Sequence, residues 1–257
     1  MQPSSVTVTD GLRFRTGQKL SGGARKGSFP AAFPLIPPFM PEESISVLLS
    51  KLEPVAEAAL LHEALGKRGA LNHDVKPAWP GAKIMGRALT VRTSPGDNLM
   101  LHKAVSIAQP GDVLVATVDG FLEAGIWGEI ITVASQVRGI RGLVTDGAVR
   151  DIDAITRLKF PIFSRGICIK GTTKKQKGTL NEPITIAGVH VAPGDIVVGD
   201  VDGVVIVPAA ELDAAIAKVH EIRVKEEAIM ARLRKGELTL DLLGMRPVLK
   251  ELGLDDK

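Results

Sequence analysis

The sequence predicts an α/β fold with mixed sheets in a single domain, and three observations predict it. Between residues 84 and 167, short apolar runs alternate with helix-patterned segments, the rhythm of βαβ units. From residue 183 the pattern changes to brief β elements separated by Pro-Gly-Asp and Asp-Gly turns. A long amphipathic helix follows over residues 209–234. The chain has 257 residues, enough for one large domain with an ample core.

The chain begins differently from how it continues. Residues 1–39 carry five basic groups and one acid, net +4, while the remainder is net −1. They are rich in Gly, Ser, Pro and Arg, end in the proline-broken apolar stretch Phe29 to Phe39, and are expected to form a disordered or extended tail. The body is expected over residues 40–236, with 237–257 as a C-terminal tail.

Within the body, residues 43–66 have an apolar face near the helical period, broken by Pro54. Pro77, Pro80 and Gly81 mark a loop, and Ile84 to Val91 reads as a strand. Asp97 or Asn98 caps a helix running to about Ala108. Residues 113–118 form a continuous apolar run, as in a strand buried on both faces. Residues 129–138 read as a helix, Gly142 to Thr145 as a strand, 148–157 as a short helix, and Ile162 to Ile167 as a strand. A polar loop spans 171–182, and strands are expected at Ile184–Ile186, Val189–Val191, Ile196–Asp200 and Val204–Val207.

Composition excludes several classes of function. No run of about 18 apolar residues exists, so no membrane-spanning helix is expected. The basic charge belongs to the tail, Tyr is absent and aromatics are 4%, so the body has no nucleic-acid footprint. A single cysteine, Cys168, excludes a disulfide framework and a cysteine-cage metal site. The five histidines show no metal-ligand spacing. Lys174, Lys175 and Lys177 lack P-loop spacing and read as a solvated loop.

The informative segment is 112–151. A strand, a helix and a second strand form a βαβ unit, so the two strands are parallel and their following loops share one end of the sheet. Glu129 and the pair Arg150-Asp151 therefore meet in space despite their sequence separation. Gly125 and Gly128 allow close approach of a ligand, and the first amides of the helix, at Glu129, Ile130 and Ile131, suit a carboxylate or phosphate. Arg150 offers a planar fork for a carboxylate or keto oxygen. Asp151 is a hard oxygen ligand suited to Mg2+ or Mn2+. On residue types alone, the Arg-Asp pair also fits a solvated surface pair.

Gly128-Glu129 and, twenty residues further, Arg150-Asp151, framed by Arg141 to Val149, resemble the RraA-like family. That family includes class II 4-hydroxy-4-methyl-2-oxoglutarate (pyruvate) aldolases and the regulator of ribonuclease E activity. Gly86 to Val91, Pro95 to Asn98, Pro110 to Val115, and Pro193 to Val205 agree with it, over roughly residues 45–235. The resemblance implies an αββα sandwich assembled as a homotrimer or hexamer, with sites at subunit interfaces. It implies a cytoplasmic, divalent-metal-dependent lyase that cleaves a 4-hydroxy-2-oxo acid to pyruvate, with oxaloacetate decarboxylation as a side activity. In this reading Asp151 ligates Mg2+ or Mn2+ and Arg150 binds the 2-oxo acid. The amides near Gly128, Glu129 and Ile130 hold its carboxylate, and Glu129 holds a metal-bound water. Glu226, or else Glu227, on the C-terminal helix of a neighbouring subunit completes the site; on residue pattern alone both fit a solvated helix face. A non-catalytic regulator, or an enzyme acting on a different sugar acid or dicarboxylate, are the alternatives.

Overall fold

The computed structural model describes Val47 and residues 50–254. The expectation for residues 1–39 lies outside the described residues.

After a 3-10 turn at Glu53–Val55, the chain forms helix α1 (Ala58–Ala64), strands β1 (Lys76–Pro77) and β2 (Ile84–Arg92), and helix α2 (Leu99–Ile107). Strand β3 (Asp112–Thr117), helix α3 (Glu129–Val137), strands β4 (Gly142–Thr145) and β5 (Ala148–Val149), and helix α4 (Ile152–Leu158) follow. Then come β6 (Ile162–Ser164), β7 (Gly166–Ile167), β8 (Thr179–Leu180), β9 (Ile184–Ile186), β10 (Val189–Val191), β11 (Ile196–Gly199) and β12 (Val204–Val207). Helices α5 (Leu212–Leu233), α6 (Thr239–Leu242) and α7 (Arg246–Glu251) complete the described chain.

Eight strands form one sheet in the order β1-β6-β4-β3-β2-β11-β12, with β8 added to the end of β2. The pairs β2–β3, β3–β4 and β4–β6 are parallel, as the βαβ pattern requires. The remaining pairs are antiparallel, so the sheet is mixed. Leu89, Val91, Leu114, Ala116 and Leu143 turn one way and pack under α2, α3 and α4. Ala88, Val113, Val115, Val144 and Phe163 turn the other way and share a cluster with Val197, Val204 and Ile206. One cluster takes residues from both halves of the sheet because the sheet curls around it, and β9–β10 pack there too. Ile196, Val198, Val205 and Val207 face outward again under α1 and α5. Helices therefore cover both outer faces of a curled sheet, which is the expected αββα arrangement.

Several local expectations are corrected. The helix expected over 148–157 begins at Ile152, because Ala148 and Val149 pair in parallel with Gly166 and Ile167. The strand expected over 162–167 breaks at Arg165 into β6 and β7, which join different sheets. Pro77, expected in a loop, forms with Lys76 an edge strand on β6, where a proline is tolerated. The 171–182 loop contains β8. Residues 237–254, expected as a tail, contain α6 and α7, neither of which buries a side chain.

Candidate active site at the carboxyl end of the parallel strands

The loops after β3 and β4 meet as the parallel register requires. Residues 125–127 run beside 148–150: Ile126 N–H donates to the Ala148 carbonyl and Arg150 N–H to the Trp127 carbonyl, both at 2.9 Å. Trp127 is fully buried, stacks on Phe160 with ring centroids 6.0 Å apart, and donates its indole N–H to Thr132 at 2.7 Å. Helix α3 begins two residues after this anchor.

Gly128 is required by space rather than by backbone conformation. Its φ of −154° suits any residue, but a Cβ there would lie 2.3 Å from Asp151 Oδ2 and 3.2 Å from Arg150 Cγ and Nε. Gly125 is similarly enclosed, with a Cβ position 2.4 Å from the Cys168 carbonyl oxygen and 2.9 Å from Arg150 Cβ. The two glycines thus form the floor on which Arg150 and Asp151 lie.

Asp151 precedes α4 in the left-handed conformation, with φ 60° and ψ 37°. This region disfavours most L-residues, and Asp is among those that tolerate it. The turn aims the carboxylate back at α3, where Oδ2 accepts the Glu129 N–H at 3.0 Å. Arg150 Nε lies 3.7 Å from the same oxygen, and both side chains are about two-fifths exposed, at 41% and 43%. The helix-start amides expected to hold a substrate carboxylate are thereby divided. Thr132 N–H opens the helical ladder by donating to Gly128, so the N–H groups of residues 129–131 have no acceptor within α3. In the chain as folded, Asp151 takes the first of them. Ile130, the next residue, is 82% exposed.

The structure thus brings together Gly128, Glu129, Ile130, Arg150 and Asp151. Glu226 and Glu227 are exposed on α5, which packs in the α1/β12 cluster rather than the one beneath α3 and α4. Among the described residues, no group of three or more His, Cys, Asp or Glu side chains gathers to hold a metal. A cation here would have Asp151 as its protein ligand and take its other ligands from water and substrate. That donor set fits Mg2+ or Mn2+, which keep several waters, and does not fit Zn2+.

Asp97, expected with Asn98 as a candidate helix cap, does more than cap α2. Its Oδ1 does accept the Leu99 N–H at 2.8 Å at the start of α2. Its Oδ2 also accepts from Thr173 Oγ1 at 2.6 Å and from the Lys175 and Gln176 amides at 2.6 and 3.2 Å. Burial raises the pKa of this carboxyl, but the bonds from Thr173, Lys175, Leu99 and Gln176 prevail and hold it down at about 2. The signal available in the sequence was Asp97 in the turn Pro95 to Asn98, and nothing local revealed the loop it grips.

The family pattern described as RraA-like, Aldolase/RraA, matches residues 55–206. A Halalkalibacterium halodurans protein named "Putative 4-hydroxy-4-methyl-2-oxoglutarate aldolase" is 34% identical over 192 residues, covering 75% of this chain and 89% of the relative. The solved structure of Streptomyces coelicolor RraAS2, described as an unusual member of the RNase ES inhibitor RraA protein family, is 28% identical. It matches with a TM-score of 0.63 over 73% of this chain and 98% of its own. The RNA-processing inhibitor RraA from Thermus thermophilis is 27% identical, with a TM-score of 0.56, over 60% of this chain and 93% of its own.

Proposed function

Since the chain belongs to the RraA-like family, we propose that it is a divalent-metal-dependent lyase that cleaves a 4-hydroxy-2-oxo acid, of the 4-hydroxy-4-methyl-2-oxoglutarate type, to pyruvate. Oxaloacetate decarboxylation is the expected side activity. The observation that carries this reading is the convergence of the Arg150 fork, the Asp151 carboxylate and the first amides of α3 at one exposed point. A solvated surface pair would not need a floor of two glycines that leaves no room for a Cβ.

Asp151 would hold the cation, Mg2+ or Mn2+, which when bound supplies the positive charge that polarises the keto group of the substrate. Arg150 binds and orients the 2-oxo acid, its planar fork facing the oxygen that becomes negative as the C3–C4 bond breaks. The amides at the start of α3 receive the substrate carboxylate, assisted by the positive end of the helix dipole. Glu129, on the first turn of α3, takes the proton lost by the C4 hydroxyl and returns a proton to C3. Glu226 of a neighbouring copy in a homotrimer or hexamer completes the acid–base group.

The test is pyruvate release from 4-hydroxy-4-methyl-2-oxoglutarate and from oxaloacetate, in EDTA and then in excess Mg2+. Activity lost in EDTA and restored by Mg2+ supports the reading. Full activity after exhaustive chelation removes the metal role. The likeness to two RNA-processing inhibitors favours a second reading, a non-catalytic regulator. Absence of pyruvate release from either substrate under any metal condition would select it.

A further inference from the structure

The chain between β7 and β8, residues 168–178, buries no side chain. Ile169 within it is 89% exposed. Both ends are anchored in ladders, β7 on β5 and β8 on β2. The near part is also tied to the loop after β3, by a 2.9 Å bond from Gly125 N–H to the Lys170 carbonyl and by the Lys170–Glu123 ion pair. The span 171–177 is held by hydrogen bonds that converge on residues 94–98. Thr173 exchanges backbone bonds with Gly96 and Asn98 at 2.9 and 3.1 Å, and Ser94 Oγ donates to the Lys177 carbonyl at 3.3 Å. Three further bonds from the span end on the Asp97 carboxylate described above.

A segment with ordered ends, no buried apolar side chain and a cluster of polar ties is the kind of unit that opens locally without unfolding the domain. Its position gives that opening a consequence. A Cβ on Gly171 would stand 3.6 Å from Arg150 Nη1, so the segment lies against the guanidinium. Beneath it, Asn98 is 7% exposed and donates Nδ2 to the Ile126 carbonyl at 2.9 Å, while its Oδ1 is buried with no hydrogen-bond partner. A buried acceptor without a donor is unfavourable. The closed state is thus held by Asp97.

We propose that residues 171–177 form a lid over the Arg150 guanidinium, latched by Asp97, and that substrate is admitted when the latch releases. Asp97 is then a positioning residue, with one carboxylate oxygen on the start of α2 and the other on the lid. The proposal rests on the reading of Arg150 and Asp151 as the substrate site.

The lid carries its own reporter, since Lys174, Lys175 and Lys177 are exposed and trypsin cleaves after lysine in an opened segment. Thr173→Val removes one latch bond at an exposed position and should lower the melting temperature by no more than about 2–4 °C, the effect of one hydrogen bond in a domain of this size. Cleavage after these lysines in the full chain should then be about fivefold faster than in wild type, the effect of one lost hydrogen bond. Pyruvate with Mg2+ should slow the wild-type cleavage by a similar factor, and should slow amide hydrogen exchange at Thr173, Lys175 and Gln176. In steady-state decarboxylation of oxaloacetate, Thr173→Val should raise KM while kcat changes less than about twofold. Equal cleavage of Thr173→Val and wild type overturns the latch, whether or not the protein is a lyase. Faster cleavage without protection by pyruvate overturns the lid as a cover of the substrate site. Lack of pyruvate release by wild type is a separate result, against the enzymatic reading itself.

Discussion

Asp146 and Asp151 both lie beyond β4 at the same end of the parallel strands, one on each side of the short strand β5, yet the fold uses them in opposite ways. Asp146 is buried, and its two oxygens accept from the Val118 amide at 2.8 Å, the Thr117 hydroxyl at 2.7 Å and the Gly120 amide at 3.2 Å. Asp151 is two-fifths exposed and holds one amide, that of Glu129. The saturated carboxylate joins the loop after β3 to the loop after β4. The unsaturated one, on a left-handed turn and open to solvent, keeps coordination capacity for something outside the chain. Asp97 resembles Asp146 in its saturation, although part of what it grips is a surface segment. The lesson is that the number of donors already engaged distinguishes these two carboxylates, where residue type and sheet position do not.

Exchanging the two roles gives the largest expected effect. If Asp151 holds the cation as proposed, Asp151→Ala should lower the pyruvate-releasing kcat/KM by at least about a thousandfold and cost about 1 kcal/mol of stability. Asp146→Ala should do the reverse in kind. It leaves the Thr117 hydroxyl and two amides without their acceptor, a loss of about 3 kcal/mol at roughly 1 kcal/mol per bond. Urea denaturation beside steady-state kinetics on both variants checks this. Stable and active Asp146→Ala would end the distinction drawn from saturation.

Arg150→Lys should have the next effect. Lysine keeps the charge and loses the fork, so a loss of about 2 kcal/mol in transition-state stabilisation, roughly thirtyfold in kcat/KM, is expected. An unchanged kcat/KM would show that the guanidinium does not meet the reacting oxygen.

The smallest effect is a pH dependence of stability from Asp97. Its native pKa, about 2, lies below the ordinary carboxylate value near 3.9, so the folded state favours the ionised form. The resulting stabilisation is complete above about pH 4 and is lost as pH falls towards 2, a change of roughly 1–2 kcal/mol. Melting temperatures of wild type and Asp97→Asn between pH 2 and 5 should converge as the solution is acidified. Parallel curves would mean that Asp97 is not distinguished by ionisation from a neutral acceptor.

Much of this was legible in the chain because it depends on local pattern. Val113 to Thr117 and Gly142 to Thr145 are continuous buried runs, and the helix between them starts at Glu129 as its preceding glycines suggest. A parallel βαβ unit then makes the meeting of Gly128 with Arg150-Asp151 a geometric consequence. Less legible were elements whose conformation is set by a distant partner. Ala148 and Val149 are extended because Gly166 and Ile167 lie beside them, and Ile162 to Ile167 breaks because its halves pair with different strands. Neither partner is visible in a local window.

The amino-acid sequence by itself determined the α/β class, the parallel centre of the sheet and the Gly-Glu/Arg-Asp group, since periodicity, turn residues and the handedness of crossovers are short-range rules. Tertiary structure alone decided which carboxylates are saturated. It gave Asp146 three donors and Asp151 one amide, and it brought residues 173–176 onto Asp97 from more than seventy positions away. The physical reason is that a carboxylate's role depends on the donors around it, and those donors arrive from loops that only the packed sheet brings into register.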